Sequence, residues 1–267
     1  MKPRAAVFCF HDIVAADALD RIAVTHRPYV LTPEEFRLLL VEAQRSARRA
    51  LPAGQVPAEF GGGFFSLTFD DGSESDYTHA FPVLLELGFR ATFFIVPSLV
   101  GSTGFATWTQ LREMVAAGME IGSHSLTHPF LHRCSHEQVR QEYDESKQII
   151  EQRLGRAVRS ASLPRGWAPP GIEPILQDLG YRVFCNSRVG WWYPGAHALR
   201  MPRVPVRRDM TAEAFGEIVL GQPRALWRLQ AVDGLKDMVK SWVGSSGWQR
   251  LRSPLLALRY RLEERPR

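Results

Sequence analysis

The sequence predicts an α/β protein in which parallel strands alternate with helices and curl into a closed or nearly closed barrel. Three observations lead there. Short apolar, β-prone runs alternate with helix-like segments from about residue 5 to residue 206, the pattern of repeated parallel βα units. Polar residues follow several of the strand-like runs, where such barrels build their sites. The chain, at 267 residues, is long enough to bury a substantial core.

Taken in order, residues 5–10 form the first predicted strand, which ends in Phe10-His11-Asp12. Thr32-Pro33-Glu34-Glu35 opens a helix that runs to about Arg49. Thr32 is placed to cap it, Pro33 suits the first helical position and Glu35 completes a capping box. The Pro- and Gly-rich stretch 52–63 is a loop into the central strand, Phe64–Phe69, whose residues are apolar and β-prone. Residues 76–88 read as a helix ending at Gly88, 91–96 as a strand, 109–117 as a helix closed by Gly118, and 119–122 as a strand. A long helix covers 135–154 and stops at Gly155; strands follow at 160–163 and 182–185, with a helix ending near Gly180 between them.

Net charge is +5, and the excess is local: from Gly221 onward there are ten Lys/Arg against four Asp/Glu. That stretch also holds Trp227, Trp242 and Trp248, and leucines at 251, 255, 258 and 262 with helix-like spacing. Such a tail either packs on the domain with its arginines in solvent or makes peripheral contact with an anionic membrane. The expected division is therefore a barrel over 1–210 and a basic amphipathic helical extension over 211–267. The three cysteines, Cys9, Cys134 and Cys185, are odd in number and widely spaced, as free thiols in a reducing compartment are. The apolar run 5–10 is too short for a signal-peptide core, and no stretch approaches a membrane span. A soluble cytoplasmic protein without a nucleic-acid partner is expected.

Two short motifs carry chemistry. Asp70 and Asp71 stand where the central strand ends, and adjacent carboxylates repel unless a cation or a shared proton relieves them. About fifty residues on, His124 and His128 sit four apart. On one helical turn both imidazoles project from the same side. One aspartate and two histidines leave open positions on a divalent metal, and the other aspartate is free to act as a base on metal-bound water.

Thr68-Phe69-Asp70-Asp71-Gly72, followed by His124-Ser125-Leu126-Thr127-His128, resembles the metal motifs of the polysaccharide deacetylase family (NodB-like, carbohydrate esterase 4). The similarity runs through Ala91-Thr92-Phe93-Phe94 and Gly118-Met119-Glu120-Ile121-Gly122-Ser123 and covers roughly residues 5–206. The resemblance implies a distorted (β/α) barrel with its site at the strand C-termini. It implies that Asp71, His124 and His128 hold a divalent metal, usually zinc, and that Asp70 is the general base. The family's Arg-x-Pro-x-Gly motif corresponds to Ser162-Leu163-Pro164-Arg165-Gly166: Pro164 and Gly166 match, while Ser162 stands where the arginine that holds the base would be. The resemblance also implies the Arg165 backbone N–H as the oxyanion donor.

The family's aspartate pair near a tryptophan and its late Leu-x-His have no counterpart. Cys9-Phe10-His11-Asp12 instead resembles the opening segment of the permuted branch, the poly-N-acetylglucosamine deacetylases, which implies His11 as general acid; the other reading of His11 is a core or capping histidine. Trp191 and Trp192, with Tyr193, either form a platform for sugar rings or pack. Arg203, Arg207 and Arg208 either meet an anionic glycan or stay solvated. The function implied is metal-dependent removal of acetyl groups from N-acetylated sugars of a glycan or glycolipid. Its rivals are hydrolysis of another amide or an O-acetyl ester, and a non-catalytic glycan-binding relic.

Overall fold

In the computed structural model, residues 3–24, 26–58, 63–235 and 238 are described. The strands are β1 (Val7–Phe10), β2 (Arg49–Ala50), β3 (Phe64–Phe69), β4 (Thr92–Ile95), β5 (Glu120–Ser123), β6 (Ser160–Ser162), β7 (Val183–Cys185) and β8 (Val204–Pro205). They pair in the order β7-β6-β5-β4-β3-β1-β8, with β2 beside β3, and every pair is parallel. Residues 201–205 draw the two edges of this curled sheet together. Met201 bridges to Cys185, and three residues on Val204 pairs with Phe8. The result is the distorted α/β barrel expected.

The helices are α1 (Pro33–Arg45), α2 (Phe81–Glu86), α3 (Trp108–Ala116), α4 (His136–Leu154), α5 (Ile172–Asp178) and α6 (Ala212–Val219). The capping box of α1 is present: Glu35 N–H donates to Thr32 Oγ1 at 3.1 Å and Thr32 N–H to Glu35 Oε2 at 2.8 Å. Gly155 ends α4 at φ 65°, in the left-handed region, which glycine enters at no steric cost.

The period of two along each strand sorts residues between two cores. Phe8, Phe10, Phe65, Leu67, Phe69 and Phe93 join the layer between sheet and helices. There Phe10, Phe69 and Phe93 stack across three strands at 5.1 and 4.6 Å. Val7, Phe64, Phe94, Val183 and Cys185 fill the barrel interior. Phe215 of α6 stacks on Phe8 at 4.2 Å, and Ile218, Val219 and Leu226 join the same outer core. Packing thus runs past residue 210, into the stretch expected as an extension. Trp242, Trp248 and the four tail leucines lie outside the described residues.

Trp191 and Trp192 do not form a platform. They are 6% and 1% exposed. Trp192 exchanges backbone hydrogen bonds with Ala5 at 2.9 and 3.0 Å, just before β1 begins, so it closes the interior at the end opposite the Asp70 end of the sheet. A ring with both faces buried cannot stack on a sugar. Trp192→Ala is expected to cost about 3–5 kcal/mol of stability through the cavity it leaves, read by chemical denaturation, with KM for acetylated oligosaccharides unchanged.

Candidate active site

Asp70 continues the inward register of Ser66 and Thr68 at the end of β3 and is 4% exposed. Asp71 and Gly72 then take φ 80° and 76°, so the two carboxylates part company. A Cβ at residue 72 would lie 3.0 Å from Ile95 Cγ2, which together with the positive φ calls for glycine. His124 follows β5, 2% exposed, its N–H donating to the Ile95 carbonyl at 2.8 Å.

The expected helical turn between the histidines is not there. Ser125 and His128 are left-handed, at φ 64° and 58°, and the chain loops instead. Ser125 Oγ accepts from His128 N–H at 3.1 Å, and Glu142 of α4 accepts from the N–H groups of Leu126 and Thr127, both at 2.9 Å. This loop still brings the rings together, with centroids 5.0 Å apart.

One donor atom from each of Asp71, His124 and His128 lies within 4.8 Å of the others. Nε2 of His124 is 3.4 Å, and Nε2 of His128 3.3 Å, from Asp71 Oδ1. Ser162 holds the His124 ring in place. Its hydroxyl donates to Asp70 Oδ1 at 3.2 Å and also contacts His124 Nδ1. With its one proton committed, it accepts from Nδ1–H, so in the neutral ring the lone pair lies on Nε2, the nitrogen that faces Asp71. Two imidazole nitrogens and a carboxylate oxygen converge here, a donor set that fits a divalent metal such as zinc.

Burial, with His124 adding to it, pushes His128 down to about 4, so it is neutral at pH 7 as a ligand must be. The unfolded chain then binds a proton between pH 6.5 and 4 that the folded chain does not, and stability falls as pH is lowered through that window. Thermal unfolding of the metal-free protein should show this slope, reduced in His128→Asn; an equal slope in both would contradict the assignment.

The structure supplies the arginine that the sequence lacks at position 162. Arg203, 3% exposed, grips Asp70 with two parallel bonds, Nη1 to Oδ1 and Nη2 to Oδ2, both 2.7 Å. Its Nε–H donates to the Asn186 carbonyl at 3.1 Å. Burial alone would raise the Asp70 pKa; the Arg203 charge and hydrogen bonds, with His124 and His11 nearby, together outweigh it and hold the carboxyl well below its usual range. Of the two sequence readings of Arg203, glycan contact or solvation, neither fits a buried bidentate pair. Arg207 and Arg208 face Asp209 and Glu35 at 3.3 and 3.2 Å.

His11 follows β1. Together with Cys9 Sγ, a ring nitrogen of His11 lies within 4.8 Å of an Asp70 oxygen, and its Nδ1 is buried without a partner among the described residues. Cys9 Sγ donates to Asp70 Oδ2 at 3.5 Å. A carboxyl the sequence reading passed over, Asp76, is 1% exposed on a π-helical turn (Asp76–Ala80). Burial and then Asp12 push its pKa up. Pro164 is buried, Arg165 is left-handed at φ 57° and Gly166 is at 77°. Arg165 reaches back to His128, Nε–H donating to its carbonyl at 2.9 Å. Of the five non-glycine residues with positive φ among those described, four (Asp71, Ser125, His128, Arg165) belong to this site, which is where such strain is retained.

A parallel α/β barrel with this cluster at its strand C-termini is the arrangement that the motif resemblance implies, and similarity to known proteins points the same way. Residues 59–184 match the polysaccharide deacetylase family. The chain is 34% identical over 141 residues to a chitooligosaccharide deacetylase of Sinorhizobium fredii (strain NBRC 101917 / NGR234), covering 42% of this chain and 64% of that protein. It is 25% identical over 189 residues to YxkH of Bacillus subtilis (strain 168), a candidate polysaccharide deacetylase, covering 71% and 63%. It thus spans a little under two thirds of the length of these curated relatives. By fold it resembles the Streptococcus pyogenes deacetylase PplD in complex with acetate, with TM-score 0.75 and 21% identity over 82% of this chain and 99% of that one. IcaB from Ammonifex degensii gives 0.65 and 23% over 82% and 96%. A polysaccharide deacetylase family domain thus covers residues 59–184.

Proposed function

We propose that this protein hydrolyses the acetamide of N-acetylated sugars in a glycan or glycolipid, with a divalent metal, zinc by preference, held by Asp71, His124 and His128. The observation that carries the reading is the convergence of those three donor atoms beside Asp70, a buried carboxylate kept ionised by Arg203. A metal held by Asp71, His124 and His128 would supply Lewis-acid polarisation of the acetyl carbonyl. Asp70 takes a proton from the attacking water, and Arg203 and Ser162 keep its carboxylate in place for that transfer. The Arg165 N–H donates to the oxygen that becomes negative as the carbonyl turns tetrahedral. His11 gives a proton to the departing nitrogen as the C–N bond breaks, leaving acetate and a free amine. The Arg203 pair also argues against a binding relic: a protein that only held glycan would have no use for a gripped, ionised base.

The test is acetate release from N-acetylglucosamine oligomers, before and after chelation and after zinc is restored. Release that chelation stops and zinc restores is expected; a zinc-loaded chain that releases no acetate from any N-acetylated sugar would overturn the reading. Ser162→Ala is expected to weaken zinc affinity about 10–100-fold, because the proton on His124 Nδ1 loses its acceptor. Competition with a chelating dye measures it.

A further inference from the structure

The rim of the site beyond β5 and β6 holds a cation whose side chain the chemistry above does not use. The Arg165 guanidinium is fixed twice, by its Nε–H on the His128 carbonyl and by lying over the Phe130 ring, 4.3 Å from the centroid. Among the described residues no carboxylate pairs with it. Arg133 approaches the same ring at 5.0 Å, and the His132 and Trp167 rings, 5.3 Å apart, continue this wall.

A fixed positive charge beside a divalent metal is unfavourable by itself. A neutral side chain would tie the two loops together as well. The arrangement becomes favourable when an anion is present. Held through Nε and one face, the guanidinium keeps both Nη groups as a forked donor, which suits the paired oxygens of a carboxylate or phosphate.

We infer that Arg165 reads an anionic group, phosphate or carboxylate, on the N-acetylated sugar or on the unit next to it. The preferred substrate is then a phosphorylated amino sugar or an acidic glycan. Because Arg165 touches the residue that supplies one proposed metal ligand, the anion belongs to the sugar that carries the acetamide or to its neighbour. The inference rests on the deacetylase reading for the acetamide but not for the anion.

Calorimetric titration of the zinc-loaded full chain separates the two. Two matched pairs serve as probes: N-acetylglucosamine with its 1-phosphate, and a glucosyl-N-acetylglucosamine with its glucuronyl counterpart. At low salt the acidic member of at least one pair is expected to bind about tenfold tighter than the neutral one, and the pair that shows it tells phosphate from carboxylate. The preference should shrink as salt is added, fall to near unity in Arg165→Gln, and return in part in Arg165→Lys. Equal Kd values within both pairs overturn the inference. So does a preference that Arg165→Gln retains, which marks an anion held by the metal alone. Acetate release in the same samples keeps the readings apart. An Arg165-dependent preference without release overturns the deacetylase reading and supports the anion site; release without a preference does the reverse.

Discussion

Asp70→Asn is expected to lower acetate release by about 10²–10⁴-fold, the range lost when a positioned general base is removed, while zinc content stays at the wild-type level. The amide keeps a carbonyl oxygen for one Arg203 donor and fills the same volume. It leaves the buried Arg203 charge unpaired, so the variant is also expected to lose stability, and rates are compared where it is folded. What it cannot do is accept the proton of the attacking water. Parallel measurement of initial rate and bound zinc decides the matter. A rate loss that tracks zinc loss would make Asp70 a ligand, and the roles of Asp70 and Asp71 would have to be exchanged.

Arg203→Met should have a large effect on stability. The variant strands Asp70, 4% exposed, without the two 2.7 Å bonds that hold it, and an uncompensated buried charge costs about 3–5 kcal/mol. The carboxyl escapes by taking up a proton, so the base is lost even in molecules that stay folded. The native pair has the opposite pH behaviour. The folded Asp70 pKa lies below its unfolded value, so its contribution is fully present above the unfolded carboxylate pKa and is lost as pH falls through the acid range. Replacing both partners, Asp70→Leu with Arg203→Met, should recover much of the stability that Arg203→Met alone loses. Denaturant midpoints of the two variants test this; a double variant no more stable than Arg203→Met would place the cost in packing instead of charge.

What was legible in the sequence was local. Asp70, Asp71, His124 and His128 stand directly after apolar strand runs, and the parallel sheet carries strand ends to one rim, so their meeting follows from topology. His11 is legible for the same reason, because β1 pairs with β3 and Phe10 lies beside Phe69. The strand and helix pattern also came through, since its periods, caps and terminal glycines act within a few residues. Arg203 was not legible as a partner of Asp70. The two are 133 residues apart, and Arg203 sits among Arg200, Arg207 and Arg208, where solvated charge is the ordinary reading. Its flanks did hold a signal: in Met201-Pro202-Arg203-Val204-Pro205-Val206 a single charge interrupts an apolar stretch, which marks a buried, paired arginine.

Two other readings failed on geometry that no local pattern encodes. A four-residue spacing of histidines suggests a helical turn, yet the left-handed Ser125 and His128 reach the same convergence through a loop. Two adjacent tryptophans look alike whether they stack on sugar or close a core. Only the pairing of Trp192 with Ala5, at the far end of the barrel, tells them apart.

The proposed division of labour, with base from β3 and acid from β1, is tested most directly by one comparison: acetate release from N-acetylglucosamine oligomers by the zinc-loaded wild type and by His11→Ala. The expected result is steady release by the wild type and a loss of about 10²–10⁴-fold in the variant at equal zinc content. No release by the wild type, or undiminished release by His11→Ala, would contradict it.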